Sequence, residues 1–155
     1  MRYQLTRDPV TSTFRVRQFA YMEVLFTVKP TFNFFSRRFA VRDADGNTVA
    51  RITRLISPVL PRFRIETANG LSLTVSRKFA LAVEYIVRGK SWHVFASSDV
   101  KTYRVADADG NDVFIINKEL GGLPNRYYIE AASSTDIVTG VCLTVVLDES
   151  IRAVR

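Results

Sequence analysis

The last twenty residues, DIVTGVCLTVVLDESIRAVR (Asp136–Arg155), decide the fold. Between Asp136 and Asp148 lie eleven residues, Ile137 to Leu147, with no formal charge and no glutamine to mark a solvent-facing side. A segment that is apolar all round must be surrounded, and a helical bilayer span takes ~20 apolar residues, so this run is too short to cross a membrane. Burial inside protein remains. The upstream chain is therefore expected to form antiparallel strands that close around it.

Local propensity points the other way. Seven of the eleven residues are β-branched, namely Ile137, Val138, Thr139, Val141, Thr144, Val145 and Val146, and such a run in isolation reads as strand. Its flanks read as helix. Ser133, Ser134 and Thr135 offer N-caps, Asp136 sits in the first turn, and Arg152 and Arg155 sit near the end, all in the sense of the helix dipole. A helix from Thr135 to Arg152 would be roughly 27 Å long, suited to the axis of a small barrel. The residues alone leave both readings open.

The chain has 155 residues, 47% of them hydrophobic, with eleven Phe and six Tyr. That is enough for one domain, residues 1–155, with a substantial core. A net charge of +7 favours encounters with anionic surfaces: phospholipid membranes, nucleic acid or acidic proteins. The lone cysteine, Cys142, lies in the apolar run, so no intrachain disulfide forms and an inert buried thiol is expected. The opening MRYQLTRDPVTSTF has charges and no apolar run of signal-peptide length, which places the chain in the cytoplasm as an expectation.

An internal repeat organises the middle of the chain. FAVRDADGNTVARI (Phe39–Ile52) returns as YRVADADGNDVFII (Tyr103–Ile116), and FRIETANGLSL (Phe63–Leu73) is a weaker third copy. Each is an apolar run, an Asp/Asn-Gly turn and a second apolar run, the pattern of a β-hairpin. A further hairpin turns at Arg88-Gly89-Lys90 between Ala82–Val87 and Trp92–Ala96, and a last strand covers Arg126–Ala131. Earlier strand-like pieces are Arg2–Thr6, Phe14–Arg17 and Tyr21–Val28, the last closed off by Pro30. About eleven strands result, with short links, which predicts an antiparallel meander closed into a barrel. Phe63 and Ile65 face one way and Arg62 and Arg64 the other, whereas Val49-Ala50-Arg51-Ile52 does not alternate cleanly.

Catalytic and metal signals are sparse. In Asp43-Ala44-Asp45-Gly46-Asn47 and its twin Asp107–Asn111 the glycine falls where an EF-hand would need Val41 or Val105 as first ligand, so these are turns. His93 is the only histidine and reads as an ordinary strand residue. Phosphate-binding and dinucleotide-binding glycine loops do not occur, and Gly121-Gly122 before Pro124 is a plain loop. No enzyme activity, metal or cofactor is expected.

What remains is the basic residues, most of which suit a solvated exterior. The denser group is Arg51, Arg54, Arg62 and Arg64, flanking the link from Ser57 to Pro61, where neighbouring strands would bring guanidinium groups together over one phosphate. Phe32, Phe34 and Phe35 beside Arg37 and Arg38 fit buried strand aromatics first, and a membrane contact or base stacking second.

Taken together, FFSRRFAVRDADGNTVARI (Phe34–Ile52), LPRFRIETANG (Leu60–Gly70), YRVADADGNDVFIINKE (Tyr103–Glu119) and PNRYYIEAASSTDIVTGVCLTVVLDESI (Pro124–Ile151) resemble the LURP-one-related proteins, relatives of the tubby C-terminal domain and of phospholipid scramblases. The resemblance covers Phe34 to Arg155; the first thirty residues match poorly. It implies a barrel of about twelve antiparallel strands enclosing a hydrophobic C-terminal helix. In the tubby branch a lysine–arginine segment on the barrel exterior binds phosphoinositide head groups; the matching region here is Ala50-Arg51-Ile52-Thr53-Arg54, with fewer basic residues and no lysine. The scramblase calcium segment and cysteine tracts have no counterpart. Fold does not fix function, so three partners are carried forward: an anionic phospholipid surface at which the protein is peripheral, a protein partner, and, least favoured, nucleic acid.

Overall fold

The computed structural model describes residues 1–33, 36–57, 59–78, 81–119, 125–132 and 137–153. Twelve strands precede one helix. They are β1 (Arg2–Arg7), β2 (Phe14–Gln18), β3 (Val24–Asn33), β4 (Ser36–Asp43), β5 (Thr48–Leu55), β6 (Arg62–Thr67), β7 (Ser72–Arg77), β8 (Glu84–Arg88), β9 (Trp92–Ala96), β10 (Thr102–Ala106), β11 (Asp112–Glu119), β12 (Arg126–Ala131) and α1 (Ile137–Ala153). Each strand pairs antiparallel with its sequence neighbours, and β1 pairs with β12, closing the barrel. Closure gives every strand a partner on both sides.

The closed wall is the reason the apolar run is a helix. A further strand inside would find no edge to pair with, and its buried N–H and C=O groups would go unsatisfied. A helix satisfies its own backbone, which outweighs the β-branched propensity. Val141, Cys142, Leu143, Val145, Val146 and Leu147 are fully buried against the inner wall. Thr144 is accommodated because its hydroxyl donates to the Gly140 carbonyl at 2.8 Å. The expected caps from Ser133 to Asp136 lie outside the described residues, as do Phe34, Phe35 and the Gly121–Pro124 loop.

The inner layer is the alternate residue of each strand: Phe39 and Val41, Ala50 and Ile52, Phe63 and Ile65, and so around the wall. The repeat is structural as well as sequential. In both copies Asp43 or Asp107 Oδ1 accepts from two backbone N–H groups, those of Asp45 and Asn47 or Asp109 and Asn111, at 2.9 to 3.0 Å. Gly46 and Gly110 take φ of +83° and +84°, which a side chain would strain. Each copy then carries a bulge, because Val41 pairs with Ala50 but Arg42 with Thr48, and Val105 pairs with Phe114 but Ala106 with Asp112. The extra residue, Val49 or Val113, is what disrupts the alternation after the turn. Beyond it the pattern resumes, and Arg51 points outward.

One expected boundary and the strand count differ. β3 runs on through Pro30, which pairs with Phe39 of β4. Its pairing with β2 ends at Val28, so past that point β3 is an edge on one side and a missing N–H is tolerated. The strand count is twelve, not the eleven that local patterns supply.

In a pure meander successive connections alternate between the two barrel ends. Connections after even-numbered strands, including both DADGN turns, lie at one end, here the turn end. Those after odd-numbered strands lie at the other, the loop end. Helix α1 enters from the turn end and finishes at the loop end, where polar contacts hold it: Tyr127 to Asp148 at 2.5 Å, Tyr85 to Ser150 at 2.9 Å, Arg7 to Asp148 at 3.5 Å and Arg37 to Glu149 at 3.0 Å. Burial pushes the Tyr85 hydroxyl above the usual tyrosine range and those of Tyr103 and Tyr127 well above it, so they stay protonated.

Candidate functional site

Strands β4 to β8 carry the basic residues singled out in the sequence, and the register fixes how they stand. On the outer face Arg64 lies between Thr53 of β5 and Thr74 of β7, and Thr74 in turn pairs with Arg88 of β8. Continued the other way, the row runs through Arg38 and Thr31. Arginine and threonine thus alternate across six strands. Arg62 stands one pleat from Arg64, ~7 Å along the strand, between Leu55 and Ser76. Arg51 is a diagonal neighbour of Arg64, about 7–8 Å away, and faces Glu66 directly across the ladder.

Arg54 differs from the other three. It pairs with inward-facing Phe63, so its alternation points it toward the barrel interior, yet it is exposed because it sits beside the loop-end rim. The structure therefore brings Arg51, Arg62 and Arg64 onto one outer face and leaves Arg54 at the adjoining mouth. Among the described residues none of the four forms a salt bridge or hydrogen bond.

The other side of the barrel contrasts with this. Lys101 pairs with Asp99, Arg104 with Asp112 and Arg126 with Glu119. Arg2 lies over the Phe19 and Tyr128 rings, 4.7 Å from each centroid, and Lys118 lies 5.9 Å from Tyr127. Cations on β10 to β12 and β1 are thus occupied internally, while the guanidinium groups of β5 and β6 are presented to solvent. Each is a planar fork suited to a phosphate or carboxylate. The hydroxyls of Thr53, Thr74 and Ser76 between them add neutral donors.

Arg88, Thr74 and Ser76 were missed as candidates. The signal for the hydroxyls was Ser72-x-Thr74-x-Ser76, a polar face at strand period. Arg88 is added only by the β7–β8 register, which no local pattern gives.

Other sequence motifs resolve without a site. Both DADGN segments use their first carboxylate to hold the turn, and among the described residues no group of three or more His, Cys, Asp or Glu side chains is placed to hold a metal ion. His93 is exposed on β9 and stacks on Phe95, ring centroids 6.2 Å apart. Cys142 is buried and its thiol is pushed up to about 12 by desolvation. Among the described residues no helix is long and apolar enough to cross a membrane.

Comparison with known proteins bears on the fold. A family model described as LURP-one-related matches residues 6–148, and so takes in β2 and β3, which the sequence resemblance left out. The X-ray structure of a protein from Arabidopsis thaliana superposes with a TM-score of 0.65 at 16% identity, over 96% of this chain and 90% of that one. At that identity the likeness establishes the barrel architecture. The comparison with curated proteins finds no match.

Proposed function

The chain belongs to the LURP-one-related family, and we propose that its barrel is a non-enzymatic cytoplasmic module that binds anionic phospholipid head groups through Arg51, Arg54, Arg62 and Arg64. The observation that carries this reading is the asymmetry of charge engagement. The four guanidinium groups have no partner among the described residues, whereas cations on the opposite wall are paired or stacked. A net charge of +7 adds long-range attraction to an anionic bilayer. The spacing of Arg62, Arg64 and Arg88, ~7 Å along a strand and ~9.5 Å across two ladders, suits several phosphates on a surface.

Vesicle flotation tests it. Phosphatidylcholine vesicles containing phosphoinositide are expected to carry the protein upward, neutral vesicles are not, and Arg62→Glu with Arg64→Glu is expected to abolish the difference. Equal recovery on neutral vesicles, or full binding by Arg51→Glu/Arg54→Glu and Arg62→Glu/Arg64→Glu proteins, would overturn the reading. Salt-sensitive binding to oligonucleotides with no vesicle recovery would do the same in favour of nucleic acid.

A further inference from the structure

We propose that the loop end of the barrel is the end that docks, inserting aliphatic loop tips into the head-group layer with the barrel axis pointing into the bilayer. The inference rests on the anionic-lipid reading and adds the orientation. Its first ground is where the exposed aliphatics lie. Ile56 and Val59, 91% and 71% exposed, are on the β5–β6 connection; Leu81, fully exposed, is on β7–β8; and Val10, 89% exposed, is on β1–β2. All three connections follow odd-numbered strands, so all are at the loop end. The β1–β2 and β7–β8 connections are six strands apart around the ring, which places apolar tips on opposite sides of one rim.

The second ground is the charge around that rim. Arg7, Arg37, Arg54 and Arg77 occupy the inward-pointing position nearest the loop end of β1, β4, β5 and β7, and Arg152 reaches the same mouth from α1. Three of these five engage Asp148 and Glu149, three cations against two carboxylates, and Arg54 and Arg77 have no salt-bridge partner among the described residues. The turn end is mixed, with Asp43, Asp45, Asp107 and Asp109 at the two DADGN turns and Arg88 and Lys90 at the β8–β9 turn. Of its exposed large apolar side chains, Met1 precedes β1 and Phe19, Tyr21 and Met22 belong to the single β2–β3 connection. A rim with five cations against two carboxylates and aliphatic tips around it, opposite an end of mixed charge, is oriented by an anionic surface before contact.

The head-group layer is about 5–7 Å deep on each side of the hydrocarbon. With the loop end down, Arg54 and Arg62 lie at its level, and Arg64 is ~7 Å above Arg62, within reach of its own side chain. Arg51 stands ~13 Å from the end of β5, and Arg88 is at the turn end. Docking on the β4–β8 face would instead engage Arg51, Arg64 and Arg88 together.

Partitioning onto phosphatidylcholine vesicles with and without phosphatidylserine and phosphoinositide separates the two. All the substituted positions are surface residues. Ile56→Asp with Leu81→Asp is expected to weaken partitioning roughly tenfold, and Arg54→Gln and Arg62→Gln about fivefold each, by the usual effect of one basic residue at an anionic surface. Arg51→Gln, ~13 Å from the end of β5, is expected to weaken it by about twofold, less than Arg54→Gln does, and the turn-end controls Lys90→Gln and Met22→Asp are expected to change it less than twofold. Tryptophan placed by Leu81→Trp should be quenched by brominated acyl chains, and tryptophan placed by Met22→Trp should not. If Arg51→Gln and Arg88→Gln weaken binding as much as Arg54→Gln, or if Leu81→Trp is unquenched on vesicles that bind, the orientation is overturned and the lipid reading stands. If the unaltered protein partitions onto no vesicle, or is captured only by a protein, both fall.

Discussion

The Tyr127 hydroxyl donates to Asp148 Oδ1 at 2.5 Å, tying the first turn of β12 to the last turns of the enclosed helix. Both side chains are buried, and the other Asp148 oxygen takes Arg152 at 3.0 Å and Arg7 at 3.5 Å. A charge-assisted bond of this kind contributes ~1.5–3 kcal/mol, and its loss leaves a buried carboxylate one donor short. Tyr127→Phe is therefore expected to lower stability by about 2 kcal/mol, a midpoint drop of roughly 4–8 °C for a chain of this size. Thermal unfolding followed by circular dichroism checks it. Tyr85→Phe, whose hydroxyl meets the neutral Ser150 at 2.9 Å, should cost less, about 1 kcal/mol.

At Gly140 the helix approaches the wall too closely for a side chain. A Cβ there would lie 2.8 Å from Phe114 Cε1 and 3.1 Å from its Cδ1. The ring cannot swing clear, since it is buried and packed edge-on against Trp92 with centroids 5.9 Å apart. Alanine improves helix propensity by ~1 kcal/mol, but overpacking a filled core costs ~1–3 kcal/mol. The clash wins. Gly140→Ala is expected to be net destabilising in a urea titration, and Phe114→Leu in the same chain should restore part of the loss.

Glu149 makes the fold sensitive to pH. Desolvation raises its carboxyl above the ordinary value, with Arg37 opposing the shift. As pH climbs, the unfolded chain releases this proton first, so the native state holds more protons and stability falls until the raised folded value is passed. The contribution is fully present below the ordinary glutamate range and gone above the raised one. Unfolding free energy measured across that interval should decline in the unaltered protein relative to Glu149→Gln, which has no such proton. Arg37→Gln removes the opposing charge and should steepen the decline.

How far the sequence carries these results depends on whether a feature is local. A closed barrel around a buried segment was legible from the unmarked apolar run Ile137 to Leu147 and the repeated DADGN hairpins, because burial all round and Gly-dependent turns are properties of short segments; that the segment is a helix followed from the family resemblance, since its β-branched residues left strand open. Arg62 and Arg64 were placed outward by simple alternation. Arg51 was not, because Val49 is an extra residue in a bulge, and a bulge depends on the partner strand. For the same reason Arg54 at the mouth, the Thr53–Arg64–Thr74–Arg88 row and the Arg7–Asp148 contact, which links positions at opposite ends of the chain, were out of reach of pattern reading. The strand path through Pro30 depends on where β2 stops.

Cys142 offers a probe of the whole enclosure. It is the only thiol in the chain, sits on the axial helix and is fully buried. Two barriers protect it from a disulfide reagent: no access through the closed wall, and a thiol pushed up to about 12 by desolvation, so that almost no thiolate exists at neutral pH. Labelling therefore requires the barrel to open far enough to hydrate the helix. At neutral pH the native protein is expected to react orders of magnitude more slowly than a small-molecule thiol, and in denaturant at the free rate. The two anchoring classes can then be told apart: Tyr127→Phe and Gly140→Ala, which loosen the helix against the wall, should speed labelling in proportion to their loss of stability. Arg62→Gln and Arg64→Gln, on the outer face, should leave it unchanged. Rapid labelling of the folded, unaltered protein would mean the helix is not enclosed.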